Sequence, residues 1–80
     1  MSAYARTVDA APSEVLERAV AYFGHGGIGL EAHEVADDHA TFFGGGGHVE
    51  VQVCQNDGKT EIDLDTREWD RQVLDFLRDF

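Results

Sequence analysis

The sequence is poor in cysteine, in proline and in positive charge. A single cysteine, Cys54, cannot close an internal disulfide, so the fold rests on no disulfide framework and a cytoplasmic location is expected. The single proline, Pro12, leaves every prospective strand without the residue that most directly blocks edge pairing. Only 6 Lys and Arg stand against 16 Asp and Glu, for a net charge of −10. No segment gathers the basic side chains that phosphate contacts need, so no nucleic-acid partner is expected. Binding to an anionic membrane is opposed by the same charge. No apolar run approaches the roughly 20 residues that cross a bilayer. The N-terminus lacks the charged segment and apolar stretch of a signal peptide.

What is present suffices for one small globular domain spanning residues 1–80. Five Phe, two Tyr and one Trp within a 42% apolar composition can fill a core. A chain of this size buries only about 60% of its unfolded surface, which makes a homodimer a natural way to bury more.

Residues 3–9, AYARTVD, read as a first strand with Tyr4, Arg6 and Val8 on one face. Residues 10–24, AAPSEVLERAVAYFG, read as a helix with Pro12 at its first position. Val15, Leu16, Ala19, Val20 and Phe23 form its apolar stripe, and Glu14 and Arg18 pair at i,i+4. Gly24 suits a left-handed helix stop, and GHGG a loose turn after it. IGLEAHEV and ATFF, residues 28–35 and 40–43, suggest two strands about a turn at ADDH. HVEVQVC and KTEIDLDT alternate cleanly, and the intervening Asp57-Gly58 favours a type I′ hairpin. That turn sets Val53 against Ile62 and Val51 against Leu64, placing the apolar residues of both strands on one face. The last segment, residues 65–80, reads as a helix with Trp69, Val73, Phe76, Leu77 and Phe80 as its buried stripe. Asp65 or Thr66 would cap it, with Glu68 completing a capping box. The expected class is α+β: strand–helix–four strands–helix, one antiparallel sheet with both helices on one face.

In this order of elements the chain resembles the TATA-box-binding-protein-like fold and, more loosely, a truncated START-like (SRPBCC) domain. The opening TVDAAPSEVLERAVAYF and the closing TEIDLDTREWDRQVLDFL carry the likeness. The resemblance implies a sheet whose free face or helix-covered groove binds something. It brings no residue-level functional signature, and the chain is too short for a full START-like domain.

The glycine run in FFGGGGHVEVQV, residues 42–53, is not a phosphate loop. A P-loop needs Lys and Ser or Thr after its glycines, then a helix. Here His48 and a strand follow, so a hairpin loop or bulge is expected. The histidines are His25, His33, His39 and His48. With a turn centred on Asp37-Asp38, His33 lies opposite Phe42, and parity sends His33 and His39 to opposite faces, so no metal site is expected. Cys54 faces Glu61 and has no histidine near it in sequence, which argues against a thiolate nucleophile. Ser13 stands at a helix start, where an N-terminal structural role explains it.

The same register lines Glu50 against Asp65, Gln52 against Asp63 and Cys54 against Glu61 on the face away from the valines. Like charges directly opposite are destabilising. This acidic face of Glu50, Glu61, Asp63 and Asp65 is either a solvated outer surface, softened by Lys59 and Arg67, or a contact for a basic partner or a divalent cation. An apolar ligand would sit between the last helix and the sheet, near Phe42, Phe43, Trp69, Val73 and Phe76. No cofactor is implied. The expected function is a small non-enzymatic binding or interaction domain that self-associates as a homodimer. The alternative is a START-like binder of a small apolar ligand, or a cyclase-like enzyme drawing acid–base groups from His33, His48 or an acidic residue with a shifted pKa.

Overall fold

The structure, a computed structural model, describes residues 2–80. Its elements are β1 (Ser2–Val8), α1 (Pro12–Phe23), β2 (Glu31–Val35), β3 (His39–Gly44), β4 (Gly47–Asn56), β5 (Lys59–Arg67) and α2 (Asp70–Arg78). The strands form one antiparallel sheet in the order β1-β5-β4-β3-β2. Strand–helix–four strands–helix is therefore the observed order, as the patterning predicts. β1 and β2 are the two sheet edges.

The β4–β5 hairpin keeps the expected register throughout, with Val53 facing Ile62 and Val51 facing Leu64. Asp57 and Gly58 both have positive φ, at 53° and 79°, as a type I′ turn requires. Val49, Val51, Ile62 and Leu64 are fully or almost fully buried. The inward face of β5 closes at each end with a buried threonine. Thr60 donates to the Ala10 carbonyl at 2.6 Å and Thr66 to the His48 carbonyl at 2.8 Å. Both hydroxyls are thereby satisfied in the apolar layer, where an unpaired one would cost about 1–3 kcal/mol.

Helix α1 lies over β3 and β4, and α2 over β1 and β5. Val15, Leu16, Ala19 and Phe23 of α1 are buried, but Val20 is 37% exposed, so the expected stripe is narrower by one residue. Glu14 and Arg18 form the expected ion pair at 3.3 Å. Pro12 opens the helix after Ala11, and Ser13 lies inside the first turn as an exposed residue. Gly24 does not adopt the left-handed stop expected of it, because its φ is −79°. Glycine is required for space instead: a Cβ there would stand 2.5 Å from the Val20 carbonyl oxygen. The following loop is not loose either. Ile28 N donates to Tyr22 O and Leu30 N to Phe23 O, each at 2.8 Å.

The last helix starts later than the sequence suggests. Asp65 and Thr66 belong to β5, which runs to Arg67, so the proposed capping box does not form. Glu68 turns the chain at φ 78°, Trp69 takes the N-cap position without a side-chain cap, and α2 begins at Asp70. Val73, Phe76 and Leu77 are buried as expected, with Trp69 and Phe80 partly so. Trp69 Nε1 donates to the Gly44 carbonyl at 3.0 Å, tying the start of α2 to the β3–β4 turn.

Candidate functional site

With both helices on one face, the other face of the sheet is open. β5 presents Glu61, Asp63, Asp65 and Arg67 there, and β4 presents His48, Glu50, Gln52 and Cys54. Glu50 faces Asp65, Gln52 faces Asp63 and Cys54 faces Glu61, as the turn chemistry predicts. Lys59 does not soften this face, because its ammonium pairs with Asp9 at 2.9 Å on the β1–α1 connection. That contact holds the Asp9 carboxyl below its usual range. Arg67 stands at the row end, in register with His48.

Of the five residues named for an apolar ligand, four share the core, Trp69 packing against the cluster that holds Phe42, Val73 and Phe76, and Phe43 lies apart. Phe42, Val73 and Phe76 are core side chains; the ring of Phe23 on α1 lies 5.6 Å from Phe42 and 5.1 Å from Phe76. Trp69 covers the glycine turn. Phe43 is on the opposite face, 45% exposed, with its ring centroid 4.6 Å from His33 and 6.1 Å from His48. Successive strand residues point to opposite faces, so Phe42 and Phe43 cannot line one cavity.

The glycine run forms a tight two-residue hairpin turn, with Gly45 and Gly46 at φ 59° and 80° between β3 and β4. No helix N-terminus follows it, and the loop has no phosphate geometry.

The histidine placement expected from parity is corrected by a β-bulge. Ala32, not His33, faces Phe42, and the register shifts between Ala32 and Glu34. The extra residue, His33, lands on the open face over Phe43, the same face as His39. A bulge inserts one residue and so reverses the parity beyond it. The two rings still have different partners. His33 approaches Glu31 at 3.8 Å, whereas His39 is held between Asp38 on Nδ1 at 2.8 Å and Glu34 on Nε2 at 2.7 Å. Those carboxylates grip opposite ring nitrogens and do not converge on one point. Among the described residues, no group of three such side chains is placed to hold a metal ion. Hydrogen bonds from Asp38, then Glu34, raise the His39 pKa above its ordinary value.

The sheet edges differ. β1 pairs with β5 without interruption from Ser2 to Val8. Its helix-side residues are anchored to α2 and the residues after it: the Tyr4 hydroxyl donates to Asp70 at 2.6 Å, and the Arg6 guanidinium donates to the carbonyls of Leu77 and Phe80. Hydrogen bonds from Ser2 and Tyr4 hold the Asp70 carboxyl below its usual range. Leu74 shares the helix face of Asp70 and Leu77, which places it above β1, and it is 44% exposed. β2 is short, bulged and exposed along its whole length, and carries Glu31 and Glu34. Beside it, α1 and the β2–β3 turn border a groove of about 370 Å³.

The open acidic face is legible in the sequence, and the first strand and the IGLEAHEV segment are the expected edges, but the uncovered apolar side chains beside them are not. Leu74 and Val35 are ordinary apolar residues in sequence, and only the sheet order reveals them as uncovered.

No helix among the described residues is long and apolar enough to cross a membrane. Comparisons with protein-family models, with curated proteins and with solved structures returned no match to this chain.

Proposed function

We propose that this chain is a non-enzymatic interaction domain that self-associates, two copies pairing through β1 into one continuous antiparallel sheet. The contrast between the two edges carries this reading. An edge strand offers unpaired backbone N–H and C=O groups to another chain unless charge, proline, a bulge or cover blocks it. β2 has a bulge and two glutamates. β1 has seven regular residues, no proline and one charged side chain, Arg6, which is bonded to the carbonyls of Leu77 in α2 and of Phe80 beyond its end. Two-fold pairing about Ala5 sets Ala5 against its mate and Ala3 against Thr7 on the open face. These small side chains let the strands approach. On the helix side the exposed Leu74 of each copy gains apolar cover. The kinship with the TATA-box-binding-protein-like fold belongs to the same proposal and is supported by element order alone.

Nitrogen-15 NMR spectra across a concentration series test the interface. Shifts that concentrate in Ser2–Val8 and around Leu74, and that vanish in Leu74→Glu, are expected. Concentration-dependent shifts centred on β2, with β1 unmoved, would overturn the assignment.

A further inference from the structure

We propose a second docking surface, at the opposite sheet edge and independent of the β1 pairing. The groove between α1 and β2 receives a short extended segment of a partner protein, with apolar side chains flanked by Lys or Arg.

The floor of the groove is apolar. Leu16 is buried beneath it, while Val35 is 55% and Val20 37% exposed. Both valines point toward the core layer. Val35 lies opposite the buried Ala40, and Val20 follows Leu16 at i+4 on α1. They are core-facing positions at which the layer runs out of cover. At about 370 Å³ the groove lies near the low end of ligand pockets, roughly 300–1,000 Å³. That volume suits one or two anchoring side chains.

The rim determines the charge of the occupant. Glu17 and Asp37 border the groove, and among the described residues no Lys or Arg lines it. Neither acid takes part in an ion pair among the described residues. Glu34 and Asp38 nearby are already engaged by His39. A second copy of this chain would bring the same acids, on a molecule of net charge −10, against each other. A cationic segment gains from Glu17 and Asp37, the two acids that border the groove. Its backbone can meet the outward edge of β2 at Glu34 and Val35, beyond the bulge, as an added strand. The bulge keeps that pairing short, so the apolar anchors and the charged rim must supply most of the selectivity.

Fluorescence anisotropy of the full chain tests this with two labelled peptides of equal charge. One alternates leucines between pairs of lysines, and in the other serines replace the leucines. The leucine peptide should bind at least about tenfold more tightly than the serine peptide. Val35→Asp and Glu17→Lys should each weaken its binding by about tenfold, and added salt should weaken it further. Ala5→Lys, at the other edge, should leave it unchanged. Should Val35→Asp fail to fold, Glu17→Lys on the exposed side of α1 carries the same test. Equal binding of the two peptides, no binding of the leucine peptide, or unchanged affinity in a folded variant would each overturn the proposal.

Discussion

Gly46 and Gly47 are neighbours, yet each is glycine for a different reason. Gly46 has φ 80° with open space around its Cα, whereas a Cβ on Gly47 would stand 2.0 Å from the Arg67 carbonyl oxygen. Gly46→Ala should therefore cost about 1–2 kcal/mol of left-handed strain. Gly47→Ala should cost more than about 2 kcal/mol, because backbone must move. Urea unfolding of the two variants checks the ranking, and equal losses would contradict it. His39 makes a separate prediction. Its pKa is raised in the folded state, so its tie to Asp38 and Glu34 contributes fully below the ordinary value of 6.5. The contribution fades as pH rises through the higher folded midpoint. An NMR titration should place the His39 midpoint above 6.5, and Glu34→Gln should lower it. A midpoint at or below the ordinary value would remove the clamp. At this scale the sequence was only partly readable. That Gly47 meets a carbonyl of β5, or that His39 meets Glu34, depends on strands whose pairing must be known first.

The elements were legible where two signals agreed. In β4–β5 the Asp57-Gly58 turn chemistry and the period-two alternation demand the same register, and it is the one observed. Gly58→Val should cost roughly 1–2 kcal/mol, since a β-branched residue is strained at positive φ. A thermal melt unchanged from the parent would contradict the turn assignment. Where signals competed, strand pairing won. DTRE looks like a capping box, but the inward alternation Thr60, Ile62, Leu64, Thr66 continues β5 through the same residues. Strand pairing of Thr66 with Val49 and of Arg67 with His48, plus the Thr66 hydroxyl bond, outweighs one cap. Only imperfect alternation marks the bulge at His33 in the sequence. It lies in an imperfectly alternating strand without glycine, and so the faces of the histidines were misplaced.

For the whole molecule, charge and edges lead to opposite expectations for two kinds of partner. The open face presents Glu50, Glu61, Asp63 and Asp65 on a chain of net charge −10. Duplex DNA should not bind, because phosphate contacts dominate that affinity and need clustered Lys and Arg. A salt-sensitive mobility shift at micromolar protein would contradict this. The proposed self-pairing keeps the acidic hairpin out of the seam, because β1 is the edge strand and β5 lies behind it. The order of the strands was expected only in outline, and neither the regularity of β1 nor the exposure of Leu74 follows from composition. Ala5→Lys separates pairing from folding. The new ammonium can meet Asp63 in its own chain, which faces Ala5, while two copies would set like charges together across the two-fold axis. Sedimentation equilibrium at tens of micromolar on the parent chain and on Ala5→Lys tests the proposal most directly. The parent should sediment at twice the 8.8 kDa chain mass and the variant at the chain mass. A parent that remains monomeric, or a variant that still dimerises, would contradict it.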